Sequence, residues 1–401
     1  MTATATLEPL PAKEPPPVQG ATAGPFSLGF LNAERRSQAL AIWRVLENEL
    51  GDVPLLASYD WTELWLRNYG DLVPHRFVTF QEDGRYVGVA LLTQGVDERR
   101  GWCGERVWHL GTAGEPDRDS AVVEYNGLVC LAPYRHRFLL DMIAALESEP
   151  DWDALQLDGF VVADLPPWMA AGSGWEHDVR PARWTDLNEV RGSGRELITF
   201  LGDSTRKGIR QSVRKLGGPR FEWSESVEHA HHIFDDLIRL HQTRWNAEGK
   251  PGCYASARFT QFHRDLVDRL VPQRRMALAR LSTSDRVLCC SQVIIDRRRA
   301  LVYQGGRVLE EIGSPGLLTD FLCMQECLAR GYAAFDFMAG DSIHKKRLTT
   351  QSTPLSWSTW RRPRWKYRAV AALKQVRNAC RGLLRRPSAT VAAKLPVDGD
   401  Q

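Results

Sequence analysis

The 401-residue sequence contains no run of about 18 apolar residues, so we predict no transmembrane helix. Its first 25 residues lack both the basic start and the apolar stretch of a secretory signal, so we do not expect export. Neither a Gly-x-x-x-x-Gly-Lys-Ser/Thr loop nor a Gly-x-Ser-x-Gly turn occurs. These absences argue against a phosphate-binding-loop nucleotidase and against a serine hydrolase of the elbow type.

The sequence also lacks the cysteine and histidine spacings of a zinc site. Eight cysteines in a chain without an export signal indicate reduced thiols. Cys323 and Cys327 lie one helical turn apart, and we expect them to pack as small apolar side chains. His229, His231 and His232 begin an amphipathic helix and are interpreted as a solvated face. We therefore predict no metal site.

Acidic residues are absent between residues 342 and 397, a stretch that holds fourteen lysines and arginines. Such a one-sided charge predicts a salt-dependent attraction to an anionic partner or surface. Residues 366–401 are predicted to form a basic helical or disordered tail, and residues 1–27, rich in Pro and Ala, a disordered one. We expect a cytoplasmic protein, and both a peripheral contact with the inner membrane and a solvated tail remain open.

The segment from Ser314 to Gly331 predicts a helix whose start can hold an anion. Ser314 is a good N-cap, Pro315 suits the first helical position, and Gly331 suits the stop. Apolar residues repeat at helical spacing: Leu317, Phe321, Met324 and Leu328. The unpaired N–H groups of Gly316 and Leu317 would point out of the first turn, where the helix dipole favours negative charge. An ordinary capped helix fits the same pattern.

This helix belongs to a longer pattern: S-P-G-L-L, a helix ending at A-R-G-Y, and then F-D-F-M-A-G-D-S-I-H-K-K-R. The pattern resembles the C-terminal half of the GNAT-like acyltransferases associated with cellulose biosynthesis, a group related to the FemAB peptidoglycan acyltransferases. Gly340, Asp341 and Lys345 match the loop of that group. His344 stands where the group usually has tyrosine, and Leu348 where it has tryptophan. The resemblance covers about residues 35–362 and is most specific over 239–347.

The resemblance implies an α/β (α+β) fold with two tandem GNAT-like domains, whose mixed, largely antiparallel sheets are flanked by helices. We place a degenerate domain at residues 28–190 and the acyltransferase domain at 191–365. Local patterns agree: Asp83-Gly84 predicts a hairpin turn between two alternating runs, and the segment EYNGLVC, residues 124–130, is predicted as a strand. A three-strand meander is predicted before the Ser314 helix.

For the acyl donor, the resemblance implies a cradle from Gly306 to Gly316, with Ser314, Gly316 and Leu317 at the coenzyme A pyrophosphate. Glu310 and Glu311 in that stretch would have to turn away from a phosphate. No permanently bound cofactor is expected, and acyl-CoA, for example acetyl-CoA, would be a co-substrate.

Proton transfer is assigned to three candidates. Asp336 alternates with two phenylalanines on a strand and is either a base in a groove or a structural hydrogen-bonding group. Asp341 follows a glycine, where an acid also simply caps a turn. His344 is the third candidate, because an imidazole can both accept and donate a proton. Lys345 matches the group's lysine and would contact substrate, although a solvated surface lysine fits as well.

For the acceptor, His241, Arg244 and Trp245 match a stretch typical of the group. They share one side of a helix, where indole and guanidinium groups suit a sugar or a phosphate. A mixed face at the edge of the core is the alternative. Arg210 lies in a basic stripe with Arg206 and Arg214, which serves either anion recognition or solubility.

The resulting prediction is an N-acyltransferase that moves an acyl group from acyl-CoA to an amine of a sugar, peptide or envelope precursor. By resemblance, the pathway is exopolysaccharide or cellulose biosynthesis. Two alternatives stay open: a FemAB-like transferase that uses aminoacyl-tRNA, and a non-catalytic scaffold with the same fold.

Overall fold

The structure is a computed structural model that describes residues 25–96, 104–169, 174–310 and 313–364. Its helices are α1 Arg36–Leu50, α2 Tyr59–Tyr69, α3 Arg135–Glu147, α4 Leu187–Gly192, α5 Asp203–Lys215, α6 Val227–Ala247, α7 Ala257–Leu270, α8 Pro315–Ala329 and α9 Ile343–Leu348. Its strands are β1 Phe26–Asn32, β2 His75–Glu82, β3 Arg85–Val96, β4 Arg106–Leu110, β5 Val129–Cys130, β6 Ala154–Val161, β7 Trp175–Asp186, β8 Arg220–Trp223, β9 Met276–Ser282, β10 Val287–Asp296, β11 Arg299–Arg307, β12 Ala334–Ala339 and β13 Gln351–Arg361. Within these ranges, no helix combines the length and apolarity needed to cross a bilayer.

The strands form one mixed sheet in the order β1-β2-β3-β4-β6-β13-β7-β12-β11-β10-β9-β8, and β5 adds to β3. Neighbours in this order are antiparallel except for β4 with β6 and β11 with β12, which are parallel. Each parallel pair needs a crossover, and α3 and α8 supply one each. The expected mixed α/β fold, with largely antiparallel strands flanked by helices, is therefore confirmed.

The two halves of the chain exchange their last strands. β7 ends the first half but pairs with β12 of the second, whereas β13 ends the second half but pairs with β6 of the first. β7 and β13 lie side by side and antiparallel, with Pro181 opposite Pro354 near the middle. Because each half completes the other's sheet, the halves share one continuous sheet.

Apolar side chains are buried on both faces of this sheet. On one face, α1, α2, α6 and α7 share a core that runs across both halves and includes Trp61, Phe234 and Phe262. On the other face, α8 covers a core around Phe335 in the second half, and α3 covers one around Phe138 in the first. Residues of β11 and β12 alternate between the two faces, so an opening between these strands can connect them.

Short-range predictions agree with the structure. α8 begins after Ser314 with Pro315 as its first residue, although the Ser314 side chain makes no capping hydrogen bond, and Gly331 follows the helix end with φ +80°. The hairpin of β2 and β3 turns at Asp83 and Gly84, both at positive φ.

Other local predictions were wrong. Only Val129 and Cys130 of the segment 124–130 form a strand, and residues 343–348, expected as a loop, form the short helix α9. The two tails predicted at 1–27 and 366–401 lie outside the described residues, apart from residues 25–27. Of these, Pro25 precedes β1, and Phe26 and Ser27 begin it.

Candidate functional site

The site begins where β11 and β12 separate. Their pairing is limited to Arg299–Leu301 with Ala334–Asp336. Further along β11, the register against β10 shifts because Tyr303 is an extra, bulged residue between Val302 and Gln304. A bulge bends its strand and leaves backbone groups outside the ladder. The two strands therefore diverge and leave a wedge-shaped opening in the sheet.

A cavity of about 1070 Å³ occupies this opening. Val302 and Phe337 line it from the α8 side, whereas Tyr303 and Met338 line it from the side of α6. The cavity therefore passes through the sheet and is lined from both of its faces. Its volume is in the upper range for small-molecule sites.

On the α8 side, the cavity ends at the first turn of that helix. Ser314, Gly316 and Leu317, which the sequence analysis assigned to the acyl donor, all line it. The Ser314 N–H donates to Ser212 Oγ over 3.1 Å. No described residue accepts from the N–H groups of Gly316 and Leu317. These two amides, at the positive end of the helix dipole, are available to an anion.

Three cations from three elements also line the cavity: Lys215 at the end of α5, Arg307 at the end of β11 and Arg347 in α9. None of them has an acidic partner among the described residues. Glu310, which also lines the cavity, is 3.5 Å from Arg286, and Glu311 lies outside the described ranges. The α8 end of the cavity is therefore electropositive.

On the opposite side, Glu124 lines the cavity although it comes from the first half of the chain. It lies in the irregular segment before β5, and its carboxylate accepts a hydrogen bond from the N–H of Ala339 over 2.6 Å. Only 9% of its surface is exposed, and burial raises the pKa of this carboxyl, opposed by the Ala339 amide and by nearby Lys345. Glu124 was not singled out from the sequence, because its neighbours were interpreted as a strand.

Lys345 and His344 line the cavity from α9. The Lys345 ammonium donates to the carbonyl oxygens of Ala339 (2.5 Å) and Met338 (3.2 Å). Burial lowers its pKa, opposed by Glu124 and Asp336. His344 Nε2 lies 2.6 Å from Oδ2 of Asp320, a buried residue of α8 that also lines the cavity. Asp320 fixes the imidazole ring and was not singled out from the sequence.

The two other predicted acids lie away from the cavity lining. Asp336 is fully buried, and its carboxylate accepts hydrogen bonds from the Tyr125 hydroxyl (2.5 Å), from Arg299 (2.6 Å) and from the Met338 N–H (2.6 Å). Burial raises its pKa. Asp341 is exposed, and its ion pairs with Lys346 and Arg183, both at 2.6 Å, lower its pKa.

Of the four predicted acceptor residues outside α9, only Arg244 lines the cavity, and it forms an ion pair with Glu248 at 3.3 Å. His241 is buried in α6 beside Tyr254 and Trp245, and burial lowers its pKa. Arg210 is exposed on α5, outside the lining.

Gly306 lines the cavity, but packing against α6 already requires a glycine at this position. A Cβ there would lie 2.8 Å from the Leu237 carbonyl oxygen and 2.9 Å from the His241 nitrogen, both in the backbone of α6. This close approach holds β11 against α6, so Gly306 is required whether or not it contacts a ligand.

A much smaller cavity, of about 10 Å³, lies in the first half between β3, the end of β4 and residues 126–129. Among the described residues, no three metal-binding side chains gather at one place. Cys323 and Cys327 are buried in the α8 core.

Residues 203–346 match the family model described as acetyltransferase (GNAT) domain. They include α5, α6, α8, the diverging strands and most of α9, and so nearly all the cavity lining described above. The match supports an acyltransferase and indicates acyl-CoA as co-substrate. No curated protein sequence matches the chain.

Among solved structures, FemX shares 13% identity over 75% of this chain and 91% of its own, with a TM-score of 0.51. The L-PGS structure from Bacillus licheniformis shares 12% identity over 88% of this chain and 97% of its own (TM-score 0.48). A tandem GNAT protein from the clavulanic acid biosynthesis pathway shares 12% identity over 83% and 98% (TM-score 0.44). At such identities, the FemX likeness concerns the fold alone.

Proposed function

We propose that the protein transfers an acyl group from acyl-CoA to an amine, with donor and acceptor entering the cavity from opposite faces of the sheet. The observation that carries this proposal is the passage between β11 and β12, with free helix amides at one end and the Glu124 carboxylate at the other. The domain match over residues 203–346 supports the same reaction class.

The donor phosphates would bind at the start of α8. Gly316 and Leu317 offer their N–H groups, and a Cβ at position 316 would have no neighbour nearer than Arg307 Cδ, at 3.6 Å, so the approach is open. Lys215, Arg307 and Arg347 add charge-assisted contacts to the phosphate oxygens. The pantetheine arm would then follow the cavity toward the opening in the sheet.

At the opening, Glu124 would take the proton from the acceptor ammonium, because it is the buried carboxylate on the far side of the sheet. The neutral amine nitrogen then forms a bond to the thioester carbon and releases its second excess proton to solvent, and the C–S bond breaks. Negative charge on the tetrahedral oxygen needs a preorganised donor. In our proposal this donor is a backbone N–H that the bulge at Tyr303 leaves outside the β-ladder.

The departing thiolate needs a proton. His344, held by Asp320 at 2.6 Å, faces the α8 side of the cavity and would donate it when protonated. The imidazole replaces the tyrosine of the group that the sequence resembles, and both side chains can transfer a proton.

The remaining predicted residues take positioning roles in this proposal. Asp336 joins Tyr125 of the first half to Arg299 of the second, and Asp341 ties α9 to Arg183 in β7. Lys345 closes the end of β12 beside Glu124. Arg244 lies at the acceptor end, whereas His241 and Trp245 support α6.

We further propose a division into halves at residues 28–190 and 191–365, with the first half as a degenerate copy. The cavity found in the first half has a volume of only about 10 Å³, and this half contributes Val122 and the Glu124 carboxylate to the lining of the large cavity. Because β7 and β13 are exchanged, the second half would not be a complete unit alone.

A cytoplasmic role in exopolysaccharide or cellulose production, with a sugar, peptide or envelope precursor as acceptor, is our pathway proposal. It rests on the sequence resemblance. The alternative is an aminoacyl-tRNA donor, which the three unpaired cations and the basic stripe of α5 favour because they would bind a phosphate backbone.

Thermal unfolding tests the donor. Coenzyme A at 100 times its Kd should stabilise the protein by about 2.7 kcal/mol and raise its Tm, and Arg347→Gln should weaken this effect. Glu149→Gln, which removes a surface carboxylate far from α8 in sequence, is the control variant. Stabilisation by tRNA but not by coenzyme A would select the alternative donor. If neither coenzyme A nor tRNA stabilised the protein, the result would favour the non-catalytic scaffold.

A further inference from the structure

β7 has an open edge beside the site. Its pairing with β12 ends at Ala182 opposite Ala339, followed by one hydrogen bond from the Gly340 N–H to the Pro181 carbonyl oxygen at 2.9 Å. β7 continues back to Trp175 with β13 on one side only. On the other side, no described strand lies against it.

The direction of the backbone groups along this edge follows from the two facing prolines. Pro181 and Pro354 have no N–H, so they form a pair without ladder hydrogen bonds. The Pro181 carbonyl points to the β12 side, as its bond from Gly340 shows. Because successive residues alternate, Val179 and His177 also direct their N–H and C=O groups to the open side. No described residue satisfies the backbone groups of Val179.

The edge is accessible. All five residues from Glu176 to Arg180 are exposed, and Val179 exposes 53% of its surface. Three of the five are charged, which protects a free edge against unspecific pairing with other chains but leaves its backbone groups available. Such an edge can accept an extended peptide as an added strand.

The open edge of β7 lies near Glu124. The N–H that Glu124 accepts belongs to Ala339, the last β12 residue paired with β7. Arg180 is close enough to lower the pKa of the Glu124 carboxyl electrostatically. Val179 is three residues from Ala182, about 10 Å along the strand. A strand added at Val179 would thus run toward the carboxylate that receives the acceptor's proton.

We propose that the acceptor is a peptide that pairs with the backbone groups of His177 and Val179 in β7 as a continuation of β12 and directs its terminal amine to Glu124. This inference rests on the proposed acyltransferase function and narrows its acceptor class. The main chain supplies the affinity, and the exposed charges at Glu176, Asp178 and Arg180 supply selectivity for side chains.

The test compares acetyl transfer from acetyl-CoA to tetraalanine and to alaninamide, which share the amine but not the extended backbone. The ratio of their kcat/KM values should favour tetraalanine by roughly fivefold or more in the natural sequence. Methylation of the tetraalanine backbone nitrogens should abolish the preference. Equal kcat/KM values for the two acceptors would overturn the proposal.

Variants of Val179 test whether the preference for tetraalanine over alaninamide depends on the edge of β7. Val179→Pro removes an N–H that points away from β13, so the ratio should fall to about one, whereas Val179→Thr keeps the N–H and should keep the ratio. An equal loss in both variants, or none in either, would overturn the proposal.

Hydrogen exchange separates this inference from the reaction itself. Tetraalanine should slow exchange at Val179 even if no acyl transfer is observed. If coenzyme A binds and exchange at Val179 does not change, the edge proposal falls and the acyltransferase stands. Slowed exchange without added peptide at high protein concentration would identify a second copy of the chain as the occupant and overturn the proposal.

Discussion

The carboxylate of Glu124 accepts the N–H of Ala339 over 2.6 Å and thereby joins the first half of the chain to the last residue of β12. The two residues are 215 positions apart in the sequence. The contact places a buried acid at the far side of the opening from α8. The proposed chemistry depends on this placement, and the first prediction concerns it.

Glu124→Gln should lower kcat by about 10² to 10⁴, because the amide cannot accept the amine proton. In the unaltered protein the rate should rise with pH as the carboxyl ionises, and burial moves this rise above the ordinary range of glutamate. The variant should lose that limb of the pH profile. Steady-state kinetics between pH 5 and 9 measure both effects.

Glu326→Gln, at an exposed α8 ion pair, is the matched control. An unchanged pH profile in Glu124→Gln would show that another residue is the general base.

Gly316 and Gly306 should respond in opposite ways to substitution by alanine. Gly316→Ala should increase stability by up to about 1 kcal/mol, since alanine favours the helix and meets no close neighbour. It should nevertheless weaken coenzyme A binding, because its methyl group narrows the approach to the anion site.

Gly306→Ala should destabilise the protein by about 1 to 3 kcal/mol, because its Cβ would meet the α6 backbone. Urea unfolding and coenzyme A titration distinguish the two variants. Normal coenzyme A affinity in Gly316→Ala would place the phosphates away from α8.

Asp336→Ala should cost about 3 to 5 kcal/mol of stability, because it leaves the Arg299 guanidinium and the Tyr125 hydroxyl without their buried partner. Urea denaturation measures this loss. Asp341→Ala removes an exposed acid from the same region and should change stability little. If Asp336→Ala were inactive but as stable as the unaltered protein, Asp336 would be a catalytic residue after all.

Glu115 should make stability depend on pH. Its Oε2 is buried without a partner, and burial raises its pKa from 4.5 to about 7. Between these values the unfolded chain loses the proton while the folded chain retains it, so stability falls as pH rises from 4.5 to 7. The loss should reach ~3 kcal/mol at pH 8.

Glu115→Gln cannot ionise and should remove this slope. Urea unfolding at pH 5 and pH 8 measures the free energy of unfolding of both proteins. An equal change between the two pH values in both proteins would show that the Glu115 carboxyl is ionised when folded.

Some features of the site could be predicted because their causes are local. Ser314, Pro315 and Gly331 fix the bounds of α8 within one run of sequence, and a helix start directs its own amides outward. Gly316 and Leu317 could therefore be selected without knowledge of the fold. The β2–β3 turn at Asp83-Gly84 has the same local origin.

Other features had no local signal. β7 was not predicted, because five consecutive exposed residues with no alternation do not resemble a buried strand. The local pattern Phe-Asp-Phe around Asp336 would be the same if this side chain faced a groove or a core, so the pattern does not distinguish the two. Only the position of Tyr125 and Arg299 decides that it is buried.

The sequence by itself determined the bounds of α8, the β2–β3 hairpin turn and the acyltransferase resemblance, since these depend on neighbours in the chain. Tertiary structure decided which half supplies the acid, where the sheet opens and which strand keeps a free edge. These depend on the exchange of β7 and β13 and on contacts between residues more than 200 positions apart. Long-range pairing is a property of the whole packed chain, and no single segment encodes it.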